Sequence, residues 1–143
     1  MSKTPEEILA DIETDSKIDQ TNLDGELTRI PYLQGKWMKV YIGLNKDLRK
    51  AERIHASLKL DRSNYFMGLA PDSVYKEQPL NRKVLKSELG EILACDPPLC
   101  RAKEEMDALA DITVAVEKFI GSLNNRGYNL GKAVDYVRWK NGG

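Results

Sequence analysis

Apolar residues recur at Leu33, Trp37, Val40, Leu44, Leu48, Ala51, Ile54 and Leu58, seven steps that together advance 25 residues. The mean step is about 3.6, the α-helical period, held for roughly seven turns. With Gly68 as its stop, the spacing predicts one long helix running to Phe66. A second pattern is sharper. Leu99, Ala102, Met106, Leu109, Thr113, Val116, Ile120 and Leu123 are spaced 3,4,3,4,3,4,3, a heptad a/d seam. Ile112 and Phe119 widen it, so this helix is expected to touch more than one neighbour. Asn124-Asn125-Arg126-Gly127 is expected to stop it, with Gly127 left-handed after the last turn. Asn129 would then cap a last helix carrying Leu130, Ala133, Val134 and Val137. Residues 96–143 therefore read as a helical hairpin. Ordinary packing within the chain would use such a seam, but so regular a seam on so short a hairpin favours self-association. The positions expected to join copies are Leu99, Met106, Leu109, Val116, Ile120 and Leu123.

The remaining segments are shorter. Thr4-Pro5-Glu6-Glu7 is a helix start, with Thr4 as N-cap, Pro5 in the first turn and Glu7 completing a capping box. Ile8, Leu9 and Ile12 give that helix one apolar edge, and Thr14 to Gln20 reads as a linker. A new start is expected near Asp19 or Thr21, with Leu23 and Leu27 inward. Pro31 lacks an amide donor, so a break or kink is expected between Thr28 and Pro31, with the long helix beginning there. Gly35 and Gly43 each weaken a helix by about 1 kcal/mol relative to alanine, which suggests close packing at both. Residues 74–94 fit either a helix opened by Pro79 or a short strand. Asp96 and Pro97 then make a clear start, as N-cap and first residue. The fold class expected is mainly α, a long basic helix plus a C-terminal hairpin. Its three parts are an acidic arm over 1–20, a helical region over 21–95 and the hairpin over 96–143.

Charge changes this picture. The chain has 22 cations and 22 acids, yet residues 1–27 carry eight acids and two lysines, for −6. Between Leu33 and Phe66 the signs reverse: Lys36, Lys39, Lys46, Arg49, Lys50, Arg53, Lys59 and Arg62 face only Asp47, Glu52 and Asp61, for +5. A helix with one buried and one basic face is a candidate nucleic-acid surface, and equally a solvated bundle face. The acidic arm would shield that face, dock a basic partner, or serve only solubility. At 143 residues one domain is expected. No run of about 18 apolar residues offers a membrane span, and the first residues lack the apolar region of a secretory signal. Cys95 and Cys100 then read as reduced thiols. His55 is the single histidine, so no metal site is expected. There is no GxxxxGK[ST], no HExxH and no glycine-rich loop opening a helix after a strand. No catalytic residue and no cofactor are expected.

At several points the chain resembles the UvsY family, the recombination mediators of T-even-type phages. Ile18-Asp19 with Thr21 and Leu23 resembles its IDxTxL opening, and Lys36-Trp37 its KW pair. Leu58-Lys59, Arg62, Tyr65-Phe66 and Gly68 resemble its basic segment ending in an aromatic pair and glycine. Lys86-Ser87-Glu88 with Leu93 and Asp96, then Arg126-Gly127-Tyr128, resemble later stretches. The matches keep order from about residue 18 to 137, and residues 1–15 lie outside them. The resemblance implies a single-stranded-DNA-binding mediator that loads a RecA-like phage recombinase onto DNA covered by the phage single-strand-binding protein. It also implies a closed homo-oligomer, of six or seven subunits, in the cytoplasm of the infected bacterial host, with no membrane partner. The family's lysine and arginine stand one residue apart; here Lys59-Leu60-Asp61-Arg62 separates them by two and inserts an acid.

The residues expected on DNA are Lys59 and Arg62, which share a helix face three apart, supported by Lys50, Arg53, Lys46 and Arg49. Cations along the backbone and aromatic rings under the bases are what sequence-tolerant single-strand binding needs. Tyr65 and Phe66 are candidate rings, although such a pair at a helix end is more often core, as is Trp37. The competing reading is a helical self-assembling adaptor whose basic helix binds a protein partner and not DNA.

Overall fold

The computed structural model describes residues 3–142. It contains five helices: α1 (Pro5–Ser16), α2 (Leu23–Phe66), α3 (Asp72–Glu77), α4 (Leu89–Ala94) and α5 (Pro97–Lys140). Among the described residues there is no strand, and no helix is long and apolar enough to cross a membrane. The mainly helical fold is as the periodicity predicts. Residues up to Lys46 and from Leu109 onward form one compact unit, and Asp47–Ala108 form a second.

The first unit is built around Ile8, Leu33, Trp37, Leu44, Ile112, Val116, Phe119 and Leu123. Trp37 meets Phe119 edge to face, with ring centroids 5.2 Å apart. α1 starts as expected: the Thr4 hydroxyl accepts from the Glu7 amide at 3.2 Å, and Pro5 fills the first turn. α2 starts at Leu23, where the Asn22 side chain accepts from the Gly25 amide.

Two expected interruptions are absent. α2 passes through Pro31 without a break. Pro31 itself is exposed, but Ile30 and Leu33 on either side of it are buried. Their burial outweighs the one backbone bond that proline removes. Likewise Asn124–Asn129 is not a turn, and α5 is a single helix of 44 residues. There is no hairpin. Leu130 and Val134 continue the buried row of Val116 and Leu123, so one apolar face runs past Gly127 and holds the helix together. Among the described residues only Gly68 and Gly142 have positive φ. Gly127 is helical, and a Cβ placed on it would stand 3.6 Å from Ile30 Cδ1. Asn129 therefore caps nothing. Gly35 and Gly43 are not close contacts either, since a Cβ on each would meet nothing within 4 Å.

The heptad seam is filled from within the chain. Val116 and Leu123 have no exposed surface, and Leu109 and Ile120 pack part-buried against the same cluster. At Val116 and Leu123 the partner surface that the spacing asks for is supplied by α1 and α2 of the same chain. Of the other two positions expected to join copies, Leu99 is buried in the second unit and Met106 is half-buried.

The second unit packs Tyr65, Val84, Leu93 and Leu99 inward. α2 ends as predicted: Gly68 has φ 78°, its amide reaches Tyr65 O at 3.2 Å, and the Leu69 amide reaches Asn64 O at 2.8 Å. This is the paired-bond termination that only glycine enters without strain. Of residues 74–94, 74–77 and 89–94 are helical, in α3 and α4, while 79–88 form neither the helix expected to open at Pro79 nor a strand.

Candidate nucleic-acid interface

The face that α2 turns inward changes along its length. In the second unit a row of less exposed positions runs Leu48, Ala51, His55, Leu58, Arg62 and Tyr65, at steps of three and four, and widens near the helix end to take in Ser63, Asn64 and Phe66. Ile54, expected on the apolar stripe, is 54% exposed. Ala51 and Leu58 keep their inward places, His55 replaces Ile54, and the row continues through Arg62 and Tyr65.

Arg49, Lys50 and Arg53 lie off that inward row. All three are exposed, and at about 100° per residue they share an arc of roughly 100°. Among the described residues none of them makes an ion pair. Lys50 and Arg53 flank a shallow depression with Ile54, Ser57, Leu58 and Asp61. Lys46, the last residue of the first unit, is exposed as well. Lys59 is also exposed, but it lies roughly half a turn around the helix from Lys50. It borders the side occupied by His55 instead.

Arg62 faces inward. Its Nε donates to Asp96 Oδ2 and its Nη2 to Asp96 Oδ1, both at 2.8 Å. The Asp96 side chain is 2% exposed and that of Arg62 19%. The guanidinium also lies 4.7 Å over the Tyr65 ring and 5.0 Å over Phe66. The hydrogen bond to Asp96 raises the guanidinium above its already high ordinary pKa, against the opposing effect of burial. Two-bonded, stacked and mostly covered, Arg62 holds the protein together at this point rather than lining an open surface. Asp96 precedes α5 as the sequence predicts, but its carboxylate grips Arg62. Tyr65 is buried too: its hydroxyl donates to Gln78 O at 3.1 Å and its ring stacks on Tyr75 at 5.5 Å. No face of that ring is free for a base. A second, smaller group of cations, Arg82, Lys83 and Lys86, is exposed, with Arg82 paired to Glu88 at 3.2 Å.

The first unit accounts for part of the acidic arm. Asp15 is buried. Its Oδ2 accepts from Lys36 Nζ at 2.7 Å and Trp37 Nε1 at 2.9 Å, and Arg29 approaches Oδ1 at 3.5 Å. Arg126 donates to the Asp15 backbone oxygen at 2.9 Å. Burial pushes the Asp15 carboxyl up, but bonds from Lys36 and Trp37 and the charges of Lys36 and Arg29 leave it below the usual range. A lowered folded pKa stabilises at pH values above the unfolded carboxyl's, and that gain fades as pH falls through the folded value. Asp15→Asn is therefore expected to lower stability by about 2 kcal/mol at neutral pH. Thermal melts from pH 7 to pH 3 should show wild type and variant converging toward the acid end; parallel curves would mean that Asp15 is not the titrating group.

Sequence reading missed both anchors. For Asp15 a signal exists, because it follows Ile8 and Ile12 at steps of four and three on the edge of α1. Arg62 has the same signal, four after Leu58 and three before Tyr65; its pairing with Asp96, 34 residues on, has none.

The family model described as "Recombination, repair and ssDNA binding protein UvsY" matches residues 11–143. No curated protein matches in sequence. Among solved structures, a crystal structure of the bacteriophage T4 recombination mediator protein UvsY, lattice type II, is similar at a TM-score of 0.83, with 18% identity over 99% of this chain and 100% of that one. Lattice type IV of the same T4 protein gives 0.80, with 15% identity over 96% and 99%.

Proposed function

The chain belongs to the UvsY family, and from that premise we propose that it is a recombination mediator that holds single-stranded DNA on the exposed basic face of α2. The observation that carries this reading is Arg49, Lys50 and Arg53, free of ion pairs and side by side in a chain of zero net charge. Lys46 and Lys59 add to the positive potential of α2. Arg62 belongs to the frame behind that face.

Cations without a shaped pocket bind phosphates and ignore sequence. Each phosphate neutralised on a single strand contributes about −0.7 to the slope of log affinity against log salt. Three or four contacts make a weak monomeric grip. A closed ring of six or seven copies presents several such faces to one strand and raises the avidity by orders of magnitude. Because Val116 and Leu123 are occupied within the chain, copies join through faces left exposed, such as the edge carrying Tyr128, Tyr136 and Trp139. A hold made of many small, salt-sensitive contacts suits a mediator. It keeps the strand while the phage single-strand-binding protein leaves, and it yields to a RecA-like recombinase. The chain is assigned no catalytic step.

Changing Lys50 and Arg53 together to alanine is expected to weaken binding alike for all base sequences and to reduce the salt slope by about 1.4 per chain bound. The helix should keep its fold, since both side chains are exposed. Titration of fluorescent oligo-dT at several salt concentrations checks this. Wild-type protein with no salt-dependent binding would overturn the reading and leave the adaptor function in its place.

A further inference from the structure

The second unit contains a cavity of about 300 Å³ that the basic face does not use. α2, α4 and the first turns of α5 enclose it. Its floor is apolar: Leu93 and Leu99, both buried, with Gly90 leaving open space beside them. Its rim is cationic, with Lys59 from α2 and Lys103 from α5, and His55 beside them; no acid is among its lining residues. Lys103 pairs with Asp107 at 3.6 Å, but both side chains are more than half exposed, so water screens that pair and the ammonium stays available.

An apolar slot rimmed by two ammonium groups selects a ligand with a flat apolar body and a negative edge. The volume is at the low end for small-molecule sites, which span about 300–1,000 Å³. It admits one ring system and not a stacked run. We propose that this cavity takes one unstacked nucleobase of a bound single strand, with its flanking phosphates on Lys59 and Lys103. The proposal rests on the single-strand reading above and adds what that reading lacks: a contact to a base. It also gives Lys59 a place, since that residue is turned away from Arg49, Lys50 and Arg53. The binding is blind to which base enters, because Leu93 and Leu99 offer only apolar contact and no donor–acceptor pattern.

The test compares oligo-dT with an abasic strand of equal length, which carries the same phosphates and no bases. Wild type is expected to bind oligo-dT about tenfold more tightly, the effect of one well-covered base. Gly90→Leu puts a side chain into the cavity, and a Cβ there meets nothing within 4 Å. Leucine is also the better helix former, so the variant should fold. It should bind both strands equally, with the salt slope unchanged. Lys103→Ala should lower the slope by about 0.7 on both strands. Independently of these variants, alkylation of Cys100, which also lines the cavity, should be slowed by oligo-dT and not by the abasic strand in Cys95→Ser protein. Equal binding of the two strands by wild type would overturn the base pocket and leave the basic face standing. So would a preference that survives Gly90→Leu. Protection of Cys100 by free dTMP as strong as by oligo-dT would make the site one for a mononucleotide and overturn the strand contact. Absence of binding to either strand would remove the single-strand reading itself.

Discussion

Val116→Asp is expected to unfold the first unit. Val116 has no exposed surface and lies in the cluster with Ile8, Leu33 and Trp37. A carboxylate there would lose its water and gain no partner, at a cost of about 4 kcal/mol or more. Whole domains are stable by only about 5–15 kcal/mol, so the loss is a large share of the total. A circular-dichroism melt should show the cooperative transition weakened or gone near ambient temperature. The heptad spacing alone leads to another outcome, a folded chain that no longer assembles. Sedimentation separates the two: a variant that melts like wild type but sediments as a smaller particle would place Val116 between subunits.

Arg62→Ala is the second large effect. It leaves Asp96, 2% exposed, with a buried charge and two empty acceptor positions. Removing one member of a buried pair costs about 3–5 kcal/mol, and the lost stacking on Tyr65 and Phe66 adds to it. The melting temperature should fall clearly. The salt slope of strand binding, measured where the variant is folded, should stay as in wild type. Replacing the pair together, as Arg62→Met with Asp96→Leu, should recover most of the stability, because apolar groups of similar volume often substitute for a buried ion pair. A variant that keeps its melting temperature and loses slope would make Arg62 a phosphate contact.

These two predictions mark where sequence reading stops. Period gave the existence of the long helices and which positions are covered, as at Leu33, Trp37, Val116 and Leu123. It could not say what covers them, because a seam looks the same whether its partner belongs to the same chain or to another. Capping chemistry was legible at Thr4-Pro5 and Gly68; at Asp96-Pro97 the position of the helix start was legible, but the carboxylate expected to cap it binds Arg62. It misled at Pro31 and at Asn124–Gly127. The preferences there are worth a few kcal/mol at most, and rows of buried residues on both sides override them. The candidate interface was legible as a charge balance but not residue by residue. His55 takes the inward place expected of Ile54, and Arg62, four after Leu58, continues the inward row although its charge argued for the surface.

The two compact units are nested along the chain, and this governs the order in which a growing polypeptide can mature. Residues 47–108 are contiguous, so the second unit has all of its own parts once the first twelve residues of α5 have emerged. The first unit does not. Trp37 is translated early, but Phe119 and Leu123, which pack with it, follow only after the whole inserted segment. During that interval the indole and Leu33 lack their final cover. The half of the molecule made first is therefore the last to be completed.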